Sequence, residues 1–425
     1  MSFETISVIG LGYIGLPTAA MFASRKKKVI GVDVNPHAVD TINQGKIHIV
    51  EPDLDMIVHA AVSEGYLKAT TTAEAADAFL IAVPTPFLPC EEGEIPAPDL
   101  SYIEAASKAI APVLKKGDLV ILESTSPVGA TEQMALWLAE ARADLTFPQT
   151  HAEQADVNVA HCPERVLPGH VVRELVENDR VIGGLTSKCS SRAVELYKTF
   201  VQGECVITNA RTAEMAKLTE NSCRDVQIAF ANELSVICDK LDIDVWELIS
   251  LANRHPRINI LQPGPGVGGH CIAVDPWFIV SKVPEEARMI GMARRVNDEK
   301  PSWVLEKVKV AVAEFLQENA NVSAKDVSIA CYGLAFKPDI DDLRESPALK
   351  ITQQIGDFHV GKTFAVEPNI EKLPSSFAGC NVVLAELVEM VNTADIHVIL
   401  VDHKEFKNIV IESGKVIDTK GIIKK

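Results

Sequence analysis

A glycine-rich turn near the amino terminus constrains the fold more than any other feature of the sequence. The apolar run TISVI leads into GLGYIG at residues 10–15, and an uncharged segment with helical character follows. The run KKVIGVDV then places Asp33 at the end of a second strand. Strand, glycine turn, helix and strand in this order form a βαβ unit, whose strands lie parallel in one sheet. We therefore predict a doubly wound α/β domain here.

The same turn predicts a dinucleotide site. Gly10 permits the tight turn, Gly12 lets the backbone approach a pyrophosphate, and Gly15 lets the helix pack against the strand. The helix N-terminus supplies N–H groups to the phosphates. Asp33 can accept hydrogen bonds from the ribose hydroxyls and would repel a 2′-phosphate, which favours NAD over NADP. The turn alone is weak evidence, because methyltransferases share this topology.

Polar residues follow the next apolar runs of this domain. AFLIAVPTP, DLVILESTSPVGAT and VNVAHCPERV each predict a buried strand that ends in a polar or proline-containing loop. In parallel sheets the carboxyl ends of the strands face the ligand crevice. The candidate ligand contacts at these ends are Thr85, Thr125, Thr131, Glu164 and Arg165. The alternative is that the loop hydroxyls cap their own backbone.

A long helix is predicted from Thr212, as its N-cap, to about Leu241. The residues that share one face of this helix at helical spacing are Glu214, Lys217, Asn221 and Arg224. A solvated stripe is one interpretation, but the surrounding residues are mostly apolar and indicate burial. Because burial can displace the pKa of a lysine far enough for proton transfer, Lys217 is a candidate acid–base group. A shorter helix begins after the N-cap Asp244.

The segment GPGVGGHCIAVDPW, residues 264–277, places Cys271 behind four glycines. Glycine removes side chains where a substrate would need room, and it lets the backbone approach a ligand. A cysteine in such a pocket can add to an aldehyde, and oxidation of the thiohemiacetal gives a thioester that water hydrolyses. With Lys217 and Asn221 as oxyanion and water ligands, this predicts oxidation of a primary alcohol to a carboxylate with two NAD.

Two other classes of function remain open at this point. In a one-step NAD enzyme, such as an epimerase or a simple alcohol dehydrogenase, Cys271 would be a residue of a tight turn. In a nucleotide-binding regulatory protein, the chain would bind its ligand without catalysis. The set Lys217, Asn221, Cys271 and Asp275 argues against both, because neither function needs a nucleophile.

The carboxyl-terminal third predicts a second, smaller parallel α/β domain without a glycine fingerprint. The run VSIACYGLAFKPDIDDLRESPALKITQQI indicates strand, loop and helix, with Ser346 as N-cap and Pro347 at the first helical position. The loop holds Lys337 and Arg344, a basic pair beside a helix N-terminus and so a candidate anion site.

Charge and cysteine content exclude several partners. The net charge of -17 disfavours nucleic acid and anionic membranes. The nine cysteines are scattered without a CxxC pair, so we expect a reducing cytoplasm. His255 and His270 lack zinc-site spacing with Cys271, so we assign no metal. The uncharged stretch 6–24 follows Glu4 and precedes RKKK, the reverse of a signal peptide.

Six motifs in order carry a family resemblance over essentially the whole chain. They are GLGYIGLP, ESTSPVGAT, CPERVLPG, AEMAKLTEN, GPGVGGHCIAVDP and GLAFKPDIDDLRESP. Together they resemble the UDP-glucose/GDP-mannose dehydrogenase family. The resemblance implies two Rossmann-like parallel-sheet domains joined by a long-helix connector. It divides the chain into an NAD-binding domain at 1–208, a helical connector and dimerisation region at 209–300 and a UDP-sugar-binding domain at 301–425.

The resemblance also implies roles for individual residues. Cys271 is the nucleophile, Lys217 the acid–base group and oxyanion stabiliser, Asn221 and Asp275 support the water and the lysine, and Glu164 is the base for thioester hydrolysis. Thr125 completes the catalytic set. The implied NAD contacts are Gly10, Gly12, Tyr13, Ile14, Gly15, Asp33, Thr85, Thr131 and Arg344. The implied substrate contacts are Arg165, Val166, Lys217, Asn221, Arg224, His255, Arg257, Gly268, Phe336 and Lys337. A homodimer is expected, with Arg257 reaching the neighbouring subunit's site.

Two departures from the UDP-glucose enzymes fall near the sugar. Those enzymes usually carry a second glutamate where this chain has Pro168, and a phenylalanine where it has Val267. Both changes disfavour glucose and predict a UDP-N-acetylhexosamine substrate. The mannosamine derivative is expected first and the glucosamine derivative second, since these epimers differ at one carbon. The predicted NAD and cysteine chemistry is unaffected.

Overall fold

The computed structural model describes residues 3–49, 51–91, 93–167, 169–269 and 271–423. Contacts divide the chain into two compact units. The first unit consists of Met1–Glu220 and Trp277–Val283, and the second of Asn221–Pro276 and Pro284–Lys425. Pro168 and His270, both considered above, lie outside the described residues. No helix among the described residues is both long and apolar enough to span a bilayer.

The first unit is an α/β structure. Its strands are β1 Thr5–Ile9, β2 Lys28–Val32, β3 Leu67–Thr70, β4 Ala78–Ile81, β5 Leu119–Leu122, β6 Asn158–His161, β7 Arg180–Gly184 and β8 Cys205–Asn209. Its helices before residue 210 are α1 Gly15–Ser24, α2 Pro36–Asn43, α3 Leu54–Ser63, α4 Ser101–Ile110, α5 Ala130–Ala141, α6 Pro148–His151, α7 Val171–Glu177 and α8 Ser187–Tyr197.

The strands of the first unit form one sheet in the order β3-β2-β1-β4-β5-β6-β7-β8. Neighbours from β3 to β6 pair in parallel, as do β7 and β8, whereas β6 and β7 are antiparallel. The reversal of strand order at β1 and β4 is the topological switch point at which doubly wound sheets bind ligands. The predicted doubly wound domain is confirmed.

The sheet of the first unit is covered on both faces. Along β5, Leu119 and Ile121 belong to one apolar cluster, while Val120 and Leu122 belong to another. All four side chains are fully buried. A parallel strand buried on both faces requires a continuous apolar run instead of alternation, and this is the pattern that LVIL presents.

The second unit contains a smaller parallel sheet. Its strands are β9 Ser328–Tyr332, β10 Lys362–Val366, β11 Val382–Leu384, β12 Ile396–Ile399 and β13 Lys415–Asp418, in the order β11-β10-β9-β12-β13. The helices that follow residue 209 in the chain are α9 Ala210–Lys240, α10 Val245–Ala252, α11 Asp275–Lys282, α12 Arg288–Glu318, α13 Pro347–Phe358 and α14 Leu387–Thr393. The prediction of a second parallel α/β structure is confirmed.

The long predicted helix is present as α9, and its residues are divided between the two units. The prediction of Thr212 as N-cap is wrong, because the helix begins at Ala210. The Thr212 N–H donates to Oδ1 of Asn209 at 2.9 Å, so the capping side chain lies three residues earlier. Asp244 and Ser346 are confirmed as N-caps, since each accepts backbone N–H bonds at the start of its helix.

Candidate active site

The glycine turn after β1 has the geometry that a dinucleotide pyrophosphate requires. Gly10 has φ +90°, and a Cβ there would lie 2.5 Å from the carbonyl oxygen of Ala82. A Cβ at Gly15 would lie 1.8 Å from the carbonyl oxygen of Gly10. A Cβ at Gly12 would meet nothing within 4 Å. Two glycines therefore permit close packing, and the third leaves open space beside the N-terminus of α1. Tyr13 is exposed and Ile14 half-buried.

Asp33 joins the end of β2 to this turn. Its Oδ2 accepts from the Leu11 N–H at 2.8 Å, and its Oδ1 accepts from the Asn35 N–H at 2.9 Å. Each oxygen keeps a lone pair for a ribose hydroxyl. Burial lowers the pKa of the nearby His48, against the opposing effect of Asp33. A neutral His48 offers no charge to a 2′-phosphate, so this environment suits NAD.

Two of the predicted threonines differ in their hydrogen bonds. Among the described residues, Oγ1 of Thr85 is buried and has no hydrogen-bond partner. Thr131 is fully buried, and its hydroxyl and backbone N–H both donate to Oε1 of Glu214, at 2.7 and 2.8 Å. Oε2 of Glu214 accepts from the Gly129 N–H at 2.7 Å. Glu214 of α9 thus caps the first turn of α5, while Thr125 is half-buried nearby in the chain.

Glu164, at the end of β6, is engaged in a buried ion pair that the sequence did not reveal. Its Oε2 accepts from Nη1 of Arg180 at 2.7 Å, and both side chains are almost fully buried. The Arg165 N–H donates to its Oε1 at 2.7 Å. The Arg165 guanidinium pairs with Glu220 at 2.6 Å, and Val166 is half-buried. The charge of Glu164 is therefore compensated at the carboxyl end of the sheet.

A second buried carboxyl lies close to this pair. The Tyr197 hydroxyl donates to Oε1 of Glu123 at 2.7 Å, and the Arg180 guanidinium carbon lies 5.0 Å from the centre of the Tyr197 ring. Burial raises the pKa of Glu123 to about 7, although Arg180 opposes this increase. Burial also raises the pKa of Cys162 to about 12, so that thiol is protonated and unreactive at neutral pH.

Cys271 is exposed and ends the glycine segment in the second unit. Its carbonyl oxygen accepts from the N–H groups of Val274 and Asp275, at 3.1 and 2.9 Å, in the turn that begins α11. The buried Asp275 accepts from Nδ2 of Asn221 at 2.6 Å. The predicted catalytic residues Asn221 and Asp275 are therefore in contact, and Asp275 lies four residues after Cys271. Lys217 lies half-buried on α9, one helical turn before Asn221.

Two of the four glycines before Cys271, Gly268 and Gly269, pack closely against the chain itself. A Cβ at Gly268 would lie 2.6 Å from the carbonyl oxygen of Glu345 and 2.9 Å from Cβ of Phe336. A Cβ at Gly269, where φ is +81°, would lie 3.2 Å from the Phe336 ring. The structure therefore brings together Gly268 and Phe336, two predicted substrate residues. These glycines were expected to leave room for a substrate. In the structure they also allow the loop to pack closely against Phe336 and Glu345.

The other predicted substrate residues of the second unit lie at its surface. Arg224, His255, Arg257 and Lys337 are exposed. His255 and Arg257 contact each other, with the Arg257 N–H 3.4 Å from Nδ1 of the histidine. Arg344, an implied cofactor contact, is also exposed and pairs with Asp342 at 2.6 Å. The exposed guanidinium groups of Arg224 and Arg257 and the ammonium group of Lys337 carry positive charge that suits an anionic ligand.

Asp339, His403 and Glu405 form the metal-ligand cluster found among the described residues. Nδ1 of His403 accepts from the Asp339 N–H at 2.9 Å, and Nε2 lies 3.0 Å from Glu367. Both ring nitrogens are therefore engaged, and we assign no metal.

Comparisons with known proteins cover the chain. Residues 4–201 match the NAD binding domain of the UDP-glucose/GDP-mannose dehydrogenase family, residues 211–299 its central domain, and residues 330–425 its UDP binding domain. UDP-N-acetyl-D-mannosamine dehydrogenase of Yersinia pestis is 68% identical over 99% of this chain and 100% of that protein. NDP-N-acetyl-D-galactosaminuronic acid dehydrogenase of Ralstonia nicotianae is 63% identical over 99% of this chain and 97% of that protein.

The comparison with solved structures also points to UDP-sugar dehydrogenases. The structure of the UDP-D-ManNAc dehydrogenase from Pyrococcus horikoshii has a TM-score of 0.84 and 40% identity, covering 99% of this chain and 96% of that one. The dinucleotide turn, the fold and these matches define an NAD-dependent oxidoreductase that acts on a UDP-sugar. The chain belongs to the UDP-glucose/GDP-mannose dehydrogenase family.

Proposed function

We propose that the chain oxidises the C6 alcohol of UDP-N-acetyl-D-mannosamine to the carboxylate of UDP-N-acetyl-D-mannosaminuronic acid. The observation that carries the proposal is the Asn221–Asp275 pair beside the turn that presents an exposed Cys271. The substrate is supported by the 68% identity with the Yersinia pestis enzyme of that name. Such a product is a precursor of the kind used for bacterial surface polysaccharides.

The residues divide the chemistry between them. The glycine turn and Asp33 would hold NAD, which would supply the hydride acceptor for both oxidations. Lys217 takes the alcohol proton, and Cys271 then adds to the aldehyde to form a thiohemiacetal. Lys217 and Asn221 stabilise the oxyanion, and Asp275 orients Asn221 through the bond at 2.6 Å. Oxidation of the thiohemiacetal gives a thioester at Cys271, and water must then hydrolyse this thioester.

Glu164 is the proposed base for that hydrolysis. The buried Arg180 guanidinium balances the Glu164 charge, so the carboxylate is held in one orientation at the carboxyl end of β6. It removes a proton from the water that attacks the thioester, and Cys271 leaves as thiolate. One alcohol, one water and two NAD⁺ are consumed, and one carboxylate, two NADH and three protons are formed.

The remaining parts of the proposal concern binding and assembly. The proposed UDP-sugar contacts are Arg165, Val166, Arg224, His255, Arg257, Gly268, Phe336 and Lys337. The proposed further contacts at the cofactor side are Tyr13, Ile14, Thr85, Thr131 and Arg344, and Thr125 belongs to the proposed catalytic set. A homodimer is proposed, with Arg257 reaching the neighbouring subunit's site. The three-part division at residues 208 and 300 stays a prediction. The nine cysteines, none in a disulfide among the described residues, favour a cytoplasmic location.

One relative supports a second substrate. The Ralstonia nicotianae protein is named for an N-acetyl-D-galactosaminuronic acid and is 63% identical to this chain. The test is therefore a comparison of kcat/KM with NAD for the UDP derivatives of N-acetylmannosamine, N-acetylglucosamine, N-acetylgalactosamine and glucose. The highest value is expected for UDP-N-acetylmannosamine, with the uronic acid identified by mass spectrometry. A higher value for any of the other three would overturn the substrate assignment.

A further inference from the structure

The segment that carries Cys271 is held at both ends by buried polar side chains of α9 and α12. We name residues 264–269, 271 and 272 the cysteine loop. At its amino end, the Gly264 N–H donates to Oδ1 of Asn232 on α9 at 2.9 Å. Nδ2 of the same Asn232 donates to Oδ1 of Asn297 on α12, also at 2.9 Å. Both asparagines are almost fully buried, so this contact is shielded from water.

The carboxyl end of the cysteine loop contacts an arginine. Nη1 of Arg294 on α12 lies 3.5 Å from the carbonyl oxygen of Ile272, the residue after Cys271. The same Nη1 donates to Oδ1 of Asp225 on α9 at 2.6 Å. Nη2 of Arg294 pairs with Asp298. The Asp225–Arg294 pair is 0% and 1% exposed. A fully buried arginine therefore lies against the Ile272–Ala273 peptide, one residue beyond Cys271.

Asp225 connects the two ends. Its Oδ1 accepts from Nη1 of Arg294 and also from Nδ2 of Asn297 at 2.8 Å. Asn297 in turn accepts from Asn232, which holds Gly264. A continuous hydrogen-bonded chain thus runs from one end of the cysteine loop to the other through Asn232, Asn297, Asp225 and Arg294. Burial raises the pKa of Asp225, while Arg294 acts against it, as expected for a carboxylate retained inside by its partner.

We propose that this chain is a positioning device for the Cys271 sulfur, and that Asp225 and Arg294 are positioning residues for the reaction. The inference rests on the proposed function of Cys271. A buried ion pair can often be replaced by apolar residues without loss of stability, so stability alone does not explain it. Directional bonds at Gly264 and Ile272, the two ends of the cysteine loop, restrain the direction of the backbone there as well as its depth, which apolar packing alone does not do.

The first test uses Arg294→Met and Arg294→Lys, with Lys309→Met as matched control. Lys309 lies on the same helix and forms an exposed pair with Glu306 at 2.6 Å. For Arg294→Met we expect kcat to fall by about 100-fold, since a misplacement of about 1 Å has that effect. KM for the UDP-sugar and the binding of NAD should change by less than about threefold. The lysine variant should recover part of kcat, and the control should match the wild type.

The second readout is the rate at which iodoacetamide alkylates Cys271, measured by peptide mapping. It should change by about tenfold or more in Arg294→Met and remain unchanged in Lys309→Met. Because Arg294→Met removes the ion-pair partner of the buried Asp225 and the variant can fail to fold, the double variant Asp225→Asn/Arg294→Met is measured in parallel. A folded variant of either kind with kcat and alkylation rate within about twofold of wild type would overturn the inference.

The two proposals fail separately. If Cys271→Ala retains the wild-type rate of acid formation, the proposed function of Cys271 is wrong, whatever the Arg294 variants do. If Cys271→Ala is inactive while folded Arg294→Met keeps its kcat and its alkylation rate, only the positioning role is wrong. If Arg294→Met raises KM while kcat is unchanged, Arg294 acts on substrate binding, and the positioning role is again wrong.

Discussion

Replacement of Glu123 by glutamine should change how the stability of the first unit depends on pH. Glu123 is buried, and its pKa is raised to about 7 from the ordinary 4.5. The folded protein therefore holds this proton more tightly than the unfolded chain. Between pH 4.5 and 7 unfolding releases it, so the free energy of unfolding falls as pH rises through that window. Above pH 7 the loss is complete and constant.

The size of the effect follows from the two pKa values. The difference between about 7 and 4.5 corresponds to about 3 kcal/mol, at roughly 1.4 kcal/mol for each pH unit. Glu123→Gln is nearly isosteric and can still accept from the Tyr197 hydroxyl, but it has no proton to release. Relative to the wild type, the variant should gain about 3 kcal/mol of unfolding free energy between pH 4.5 and pH 8.

The assay is urea unfolding at several pH values, with hydrogen–deuterium labelling in a short pulse at one fixed pH. Peptides that cover residues 119–122 report the first unit alone, because β5 lies within its sheet. Glu140→Gln, an exposed glutamate on α5, is the matched control and should follow the wild type at every pH. An equal difference in unfolding free energy between Glu123→Gln and wild type at pH 5 and pH 8 would show that folding does not raise the pKa of Glu123.

Two further changes test the cofactor side of the first unit. NAD should be preferred over NADP by at least about tenfold in kcat/KM, because the carboxylate beside the glycine turn repels a 2′-phosphate. Asp33→Asn should reduce this preference for NAD. Equal kcat/KM values for the two cofactors in the wild type would contradict the role of Asp33. Glu214→Ala should lower the unfolding free energy of the first unit by about 3 kcal/mol, since three N–H and O–H donors of Gly129 and Thr131 lose their charged acceptor. It should also lower kcat, because Glu214 lies one turn before Lys217 on α9; a variant with unchanged urea midpoint and kcat would count against both effects.

Much of the fold could be predicted because local patterns determined it. The apolar run LVIL identifies the buried strand β5, and the glycines at 10, 12 and 15 identify the turn after β1. Both patterns lie within a few residues of the structure that they determine. The N-caps Asp244 and Ser346 are likewise local. The antiparallel pairing of β6 with β7 was not predicted, because strand direction depends on a connection whose path no periodicity records.

The candidate site was predicted unevenly for the same reason. Motifs indicated Cys271 and Asp275, but the partners that hold the site lie far away in sequence. Arg180 pairs with Glu164 across 16 residues, and Arg294 pairs with Asp225 across 69. A buried arginine inside a helix or at the start of a strand resembles a surface residue until tertiary contacts are known.

The glycines of the cysteine loop show how a correct pattern can be only partly interpreted. Their number predicted a close backbone approach. The sequence suggested that a substrate makes that approach, whereas the structure places Phe336 and Glu345 against Gly268. Which group fills the space beside a glycine is a property of the fold and not of the local sequence.

The number of NADH formed for each UDP-N-acetylmannosamine consumed distinguishes a cysteine thioester route from a single oxidation. Purified protein is given limiting sugar nucleotide and excess NAD, NADH is read by absorbance, and the uronic acid is quantified by chromatography with semicarbazide present to trap aldehyde. A cysteine route through a thioester predicts two NADH per sugar, one equivalent of acid and no trapped aldehyde, with acid formation lost in Cys271→Ala. One NADH per sugar, or acid formed at the wild-type rate by Cys271→Ala, would contradict it.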